Sequence, residues 1–314
     1  MRKRLSNVGE DKLHREISPA VDGFGASIYR KIRLADVVDI SGLPSSDLRR
    51  YALQSHFDVC IADSDEQPAF AIEYDGGGHD ARNDERKNEI ARQADLALFR
   101  IDERLLSRKL GDYTFLQYLV HVWFMGRAFR EAQEAGQIDP SEPFMMTAFL
   151  RPDAKNIFDS AYDFARPPLA RIGKKLVRAG LAKPPLSSGM MGISFSLMAR
   201  DDSSFIGFGC IRFGDHVVWS RAKLDIGTPS LGELVDVPFG WSALSDFCEG
   251  MAYDGLADSL DIIESGGRHA LLTRQEVAEE MIALRQNGYS DMRSFYSSNS
   301  ADAGLFGRID LISP

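Results

Sequence analysis

The sequence predicts an α/β protein: a mixed sheet flanked by helices over residues 1–136, then a second, α+β domain over residues 137–314. Three observations carry that expectation. Strand-like and helix-like patterns alternate from Ser6 to Ile101, as they do where helices cover a sheet. The stretch Gln137–Pro143 interrupts the pattern with polar and turn-forming residues, like a boundary between domains. Beyond it, the runs Met191–Ala199 and Ser204–Ser220 alternate like antiparallel strands.

The elements follow in order. Ser6 or Asn7 is placed to cap a helix to about Val21, with Leu13 and Ile17 at helical spacing. Ala26–Leu34 alternates β-branched and aromatic residues and reads as a strand. The turn SGLPSS leads into a short helix, Asp47–Ser55. Two strands follow, Phe57–Ala62 and Ala69–Tyr74, joined by the polar turn DSDEQP. Gly76, Gly77 and Gly78 end that pattern, after which Asn83–Asp95 is a charged helix and Leu96–Ile101 an apolar strand. Tyr113–Ala135 is helical in character. In the second half, Arg171–Ala182 is a basic amphipathic helix fenced by proline pairs, Gln275–Asn287 is a helix, and Tyr289–Ser300 reads as a polar, serine-rich loop.

Composition narrows the function classes. An apolar share of 44% suits a soluble chain with a sizeable core. No stretch approaches the roughly 18 apolar residues of a membrane span. The basic start MRKRLSNVGEDKLHRE has no apolar run behind it, so no secretory signal is expected. Cys60, Cys210 and Cys248 lie far apart in apolar settings, which predicts buried reduced thiols and a cytoplasmic location. The net charge of −9 argues against a general nucleic-acid coat. That charge is unevenly spread, however: fourteen acids face five bases from Leu231 onward, whereas Arg166–Lys183 holds six bases and no acid.

The chemistry-bearing pattern is Phe57-Asp58-Val59-Cys60-Ile61 followed by Ala71-Ile72-Glu73-Tyr74-Asp75. Alternation along a strand sends Glu73 and Asp75 to one face. If the preceding strand pairs with theirs as a hairpin, Asp58 comes up beside them. Three clustered carboxylates repel, and a divalent cation resolves the repulsion. Oxygen-only ligation suits Mg2+ or Mn2+. The glycines let the backbone turn sharply and admit a substrate backbone. His79, just past the strand, has a side chain suited to proton transfer at neutral pH. Lys87, on the following helix, offers an ammonium to a phosphate or an attacking water. Acids, a metal and a cation are the parts that phosphodiester hydrolysis requires.

The run FDVCIADSDEQPAFAIEYDGGGH resembles the metal centre of PD-(D/E)xK, or restriction-endonuclease-like, nucleases, in the branch that includes very-short-patch-repair endonucleases. More closely, Glu10 to Arg104 resembles a bacterial domain family of unassigned function within that superfamily. The shared pattern has an early helix with a glutamate (here Glu10), a segment like KIRLADVV, an Arg-rich helix and the start HFD. The Glu-x-Asp-Gly-x-x-His core, a helix with Asp/Glu-Arg-Lys and a strand ending LFRID complete it. The resemblance implies a restriction-endonuclease-like mixed sheet. It also implies metal binding by Asp58, Glu73 and Asp75, with His79, Lys87 and Glu10 completing the catalytic set. Asp75 stands where the general motif has lysine, so His79 or Lys87 takes over the lysine's role.

Each residue also has a plainer explanation. The carboxylates suit a solvated strand end, His79 a loop, Lys87 a charged helix face and Glu10 an acidic helix start. Arg30, Lys31 and Arg33, and further along Arg171, Lys174, Lys175 and Arg178, are candidate phosphate contacts, although a solvated amphipathic helix accounts for the second group more readily. The leading expectation is a Mg2+-dependent DNA endonuclease or nickase, serving phage or plasmid defence, repair or a mobile element. The alternative is a catalytically silent nuclease-fold module that binds DNA or assembles with partners under control of the C-terminal domain. DNA is the expected partner, with a homodimer or protein partner engaged through the second half.

Overall fold

Asn7 opens the first helix, α1 (Val8–Gly23), through a capping box. Its side chain accepts from the Glu10 backbone N–H, and the Glu10 carboxylate accepts in return from the Asn7 backbone N–H. The computed structural model describes residues 7–76, 80–110, 113–141, 149–150, 161–162, 166–178, 193–201, 204–213, 216–225 and 241–296. Contacts divide the chain into two compact units, with the described residues from 7 to 141 in the first and those from 166 to 296 in the second.

After α1 come β1 (Ser27–Arg33), the short α2 (Leu34–Val37), and α3 (Ser46–Gln54), whose first turn Ser45 caps. β2 (His56–Ala62) and β3 (Pro68–Asp75) follow, then α4 (Ala81–Gln93), capped by Asp80, and β4 (Ala97–Asp102). A single helical turn, α5 (Glu103–Leu106), and the short pair β5 (Lys109–Leu110) and β6 (Tyr113–Thr114) lead to α6 (Phe115–Glu134). The sheet order is β1-β2-β3-β4. The first two pairings are antiparallel and β3–β4 is parallel, so the sheet is mixed, as expected. A parallel pair needs a long crossover, and α4 supplies it.

β3 is buried from Ala69 through Glu73, as an interior strand covered on both faces must be. On one face Ala71 and Leu98 join Ile90 and Ala91 of α4 and Ala52 of α3. On the other, Phe70 and Phe99 pack against Trp123 of α6, with ring centroids 5.0 and 6.2 Å from the indole. α1 lies against α6. Its first turn meets Tyr74 so closely that a Cβ added at Gly9 would stand 2.0 Å from the tyrosine ring. Gly9→Ala is therefore expected to cost about 1–3 kcal/mol of overpacking, measured as a lowered denaturation midpoint. An unchanged midpoint would mean that the ring swings aside at no cost.

The second unit is built on a five-stranded antiparallel sheet in the order Leu271–Thr273, His216–Asp225, Ser204–Phe213, Ile193–Asp201, Ser290–Tyr296. α9 (Arg274–Gln286) covers one face, where Val277, Met281 and Leu284 meet Met198, Ile206 and Phe208. α8 (Trp241–Glu264) covers the other so closely that a Cβ at Gly207 would lie 3.0 Å from Cys248 Sγ. α7 (Arg166–Arg178) packs on α8. Three expectations are corrected here. Ser290–Tyr296 is an edge strand, not loop, because the strand Ile193–Asp201 offers it backbone partners that local composition cannot reveal. The run Ser204–Ser220 is two strands rather than one. Pro167 and Pro168 lie inside the first turn of α7, where a missing N–H costs nothing, rather than before the helix. The three cysteines are free and buried, as expected. Among the described residues no helix is long and apolar enough to cross a membrane.

Candidate active site

The β2–β3 register runs through Val59↔Ile72 and stops. At the next step side chains take over from the backbone. The Tyr74 N–H donates to Asp58 Oδ2 at 2.9 Å, and the Asp58 N–H donates to Glu73 Oε1 at 3.3 Å. Each carboxylate thus accepts from the strand opposite, which holds Asp58 and Glu73 face to face where the strands part. By alternation from Ala71, Glu73 points to the face covered by α4.

Glu73 is only 6% exposed. A buried carboxylate is costly without a counter-charge, and α4 provides one: Lys87 Nζ lies 2.5 Å from Glu73 Oε2, itself largely buried. Burial pushes the Glu73 carboxyl up to about 7. The Lys87 ammonium pulls against that rise, the Asp58 carboxylate adds to it, and Arg100 also opposes it.

Arg100 is the residue that the sequence did not single out. It stands in parallel register beside Glu73 and is 7% exposed. Its guanidinium donates to Asp84 Oδ1 at 3.0 Å, to the Asp84 carbonyl at 3.3 Å and to Asn88 Oδ1 at 3.0 Å, and reaches Asp75 Oδ1 at 3.5 Å. The available signal was a lone arginine inside the apolar run LALFRI, since a charge in a buried strand demands partners.

The remaining candidates are placed as follows. Asp75 shares the Glu73 face, in register with Asp102, and pairs with Arg100. Glu10 is buried, and its carboxylate is held by the Asn7 side chain at 2.7 Å and Lys31 Nζ at 2.8 Å. Its partners are the N-cap of α1 and Lys31 of β1, which hold Glu10 at the helix start. His79 lies outside the described residues. Arg30 pairs with Asp11 and Arg33 with Asp36. In the second unit Arg171 pairs with Asp254 at 2.9 Å and with Asp258, and Lys175 with Asp261, all on α8, while Lys174 and Arg178 are exposed. The base-rich and acid-rich stretches of the sequence therefore neutralise one another in part.

Among the described residues no three His, Cys, Asp or Glu side chains are gathered as a metal-ligand set. The opposed pair Asp58 and Glu73 nonetheless fits a hard divalent ion. Both donors are oxygens, and the buried one is a carboxylate whose ionised form burial disfavours. Residues 2–109 match the model of a family described as a protein of unknown function, DUF2726. No curated protein and no solved structure matches the chain.

Proposed function

We propose that the first unit is a restriction-endonuclease-like nuclease that hydrolyses phosphodiester bonds in DNA, as an endonuclease or nickase. The observation that carries this reading is the Lys87 ammonium, delivered by α4 onto Glu73 where Glu73 faces Asp58 across parting strands. Together these supply the acids and the cation of the motif that Phe57–His79 resembles, with the lysine arriving from a helix instead of from two residues past Glu73.

In this reading Asp58 of β2 and Glu73 of β3 would hold Mg2+ or Mn2+, with Asp75 two residues past Glu73 on β3. The bound ion supplies water activation and neutralises charge growing on the phosphate. Asp58 is oriented for binding by the Tyr74 N–H, and Glu73 by the Asp58 N–H. Lys87, beside Glu73 on α4, would offer its ammonium to the phosphate oxygens or to the attacking water. His79 stands next in sequence to the glycines that end β3 and is the second candidate for moving a proton.

Supercoiled plasmid incubated with the purified chain and either metal tests the reading. Nicked or linear product is expected from the wild type and not from Glu73→Ala. Cutting that persists in Glu73→Ala removes the proposal. Binding without cutting under both metals favours instead the silent nuclease-fold module. That second reading has its own support in the ion pairing of Asp75 with Arg100, which engages an acid that the metal would otherwise use.

A further inference from the structure

Lys87 meets Glu73 only if α4 lies at one height along the sheet, and the buried side chain of Arg100 is in position to help set that height. Arg100 projects from β4 beside Glu73, on the face that α4 covers. Its guanidinium is almost wholly removed from water, an arrangement tolerated only where the donors find acceptors. Besides Asp75 Oδ1 of β3 at 3.5 Å, the acceptors come from α4. Asp84 contributes a side-chain and a backbone oxygen, and Asn88, one turn later, contributes its amide oxygen. Residues three and four apart share a helix face, so Lys87 falls between these two anchors on the side that meets the sheet. The planar fork of an arginine can hold acceptors one helical turn apart, which a lysine ammonium cannot do with the same geometry.

We propose that Arg100 is the positioning residue of this centre: by gripping α4 at Asp84 and Asn88 it sets the Lys87 ammonium on Glu73. It acts through Lys87. The role depends on the nuclease reading only for its effect on cutting, since the placement of Lys87 can be read without any reaction.

Limiting acetylation of the full chain with acetic anhydride, followed by peptide mass spectrometry, reads that placement, with the exposed Lys109 as internal reference. In the wild type Lys87, shielded and paired, acetylates far more slowly than Lys109. In Arg100→Gln the Lys87-to-Lys109 ratio rises severalfold. Asn88→Ala removes one arm of the grip and leaves Asp84 on the guanidinium, so it raises the ratio by less and decides the matter if Arg100→Gln does not fold. A ratio unchanged in Asn88→Ala and in folded Arg100→Gln overturns the role.

Cutting provides the second readout. Arg100→Gln is expected to lower the plasmid cleavage rate about 10- to 100-fold, and to lower it little further once Lys87 is already alanine. Losses that multiply independently in the double variant overturn the role, because a merely structural arginine would behave that way. The two failures separate cleanly. A wild type that cuts nothing while its labelling responds to Arg100→Gln loses the proposed function and keeps the positioning role. A wild type that cuts while its labelling does not respond keeps the function and loses the role.

Discussion

Lys87→Ala is expected to slow metal-dependent cutting by about a hundredfold to ten-thousandfold while leaving the affinity for uncut DNA almost unchanged. The reason is placement. Lys87 is the cation held against Glu73 and is largely buried, so in the proposed reading it serves the reacting phosphate and not the rest of the DNA backbone. Lys87→Arg keeps the charge but replaces a compact point donor with a broad planar one, so it is expected to restore little. Asp75→Lys made in the Lys87→Ala background is the informative rescue. Strand alternation places position 75 on the Glu73 face, from which a lysine reaches the same carboxylate along the strand. Partial recovery there would establish that the chemistry needs an ammonium at this point, whichever element supplies it. Wild-type cutting by Lys87→Ala would reduce Lys87 to a counter-charge for a buried acid and pass the proton-handling role to His79. Melting has to accompany the rates, since removing one partner of a buried ion pair costs about 3–5 kcal/mol.

What could be read from the sequence follows how locally each feature is determined. Asn7 as a cap, the two strands about the DSDEQP turn and the charged helix after the glycines depend on neighbours within a few residues, and all are found close to their expected limits. The opposition of Asp58 and Glu73 is local too, because a hairpin fixes its own register. Lys87 was harder. NDERKNE has the composition of a solvated helix face, and only the packing of α4 on the sheet turns its lysine inward. Arg100 was hidden because its partners come from the crossover helix, and the parallel register that sets it beside Glu73 is decided by that crossover. The second unit shows the same divide at longer range. The excess of bases in α7 and the excess of acids after Leu231 were both visible, yet the pairs Arg171–Asp254 and Lys175–Asp261 span more than eighty residues. No local pattern announces them, and the two stretches read separately as candidate phosphate contacts and a local excess of acid.

Glu73 predicts a pH dependence whose sign separates a metal site from an ordinary ion pair. Its carboxyl binds a proton with a pKa of about 7 in the folded chain, against an ordinary value of 4.5, chiefly because it is buried. Between those two values the native state holds a proton that the unfolded state releases, so stability falls as pH rises through the window. The full loss, about 3 kcal/mol, is reached above pH 7, and none of it is present below pH 4.5. Glu73→Gln removes the titration and leaves Lys87 unpaired at every pH. Denaturant melts of both proteins at steps from pH 5 to pH 8, without divalent metal, should therefore show the wild type losing stability relative to the variant as pH rises. Parallel profiles would mean that the Lys87 ammonium fully offsets burial, leaving a plain ion pair with no call for a second cation. A wild-type decline makes a further demand. An ion that binds only the ionised carboxylate stabilises the chain by mass action, and Mg2+ or Mn2+ should restore the loss. Because free Glu73 is already ionised at pH 8 and must shed a proton at pH 6, the metal should bind, and stabilise, more strongly at the higher pH, and Glu73→Gln should show little of either effect.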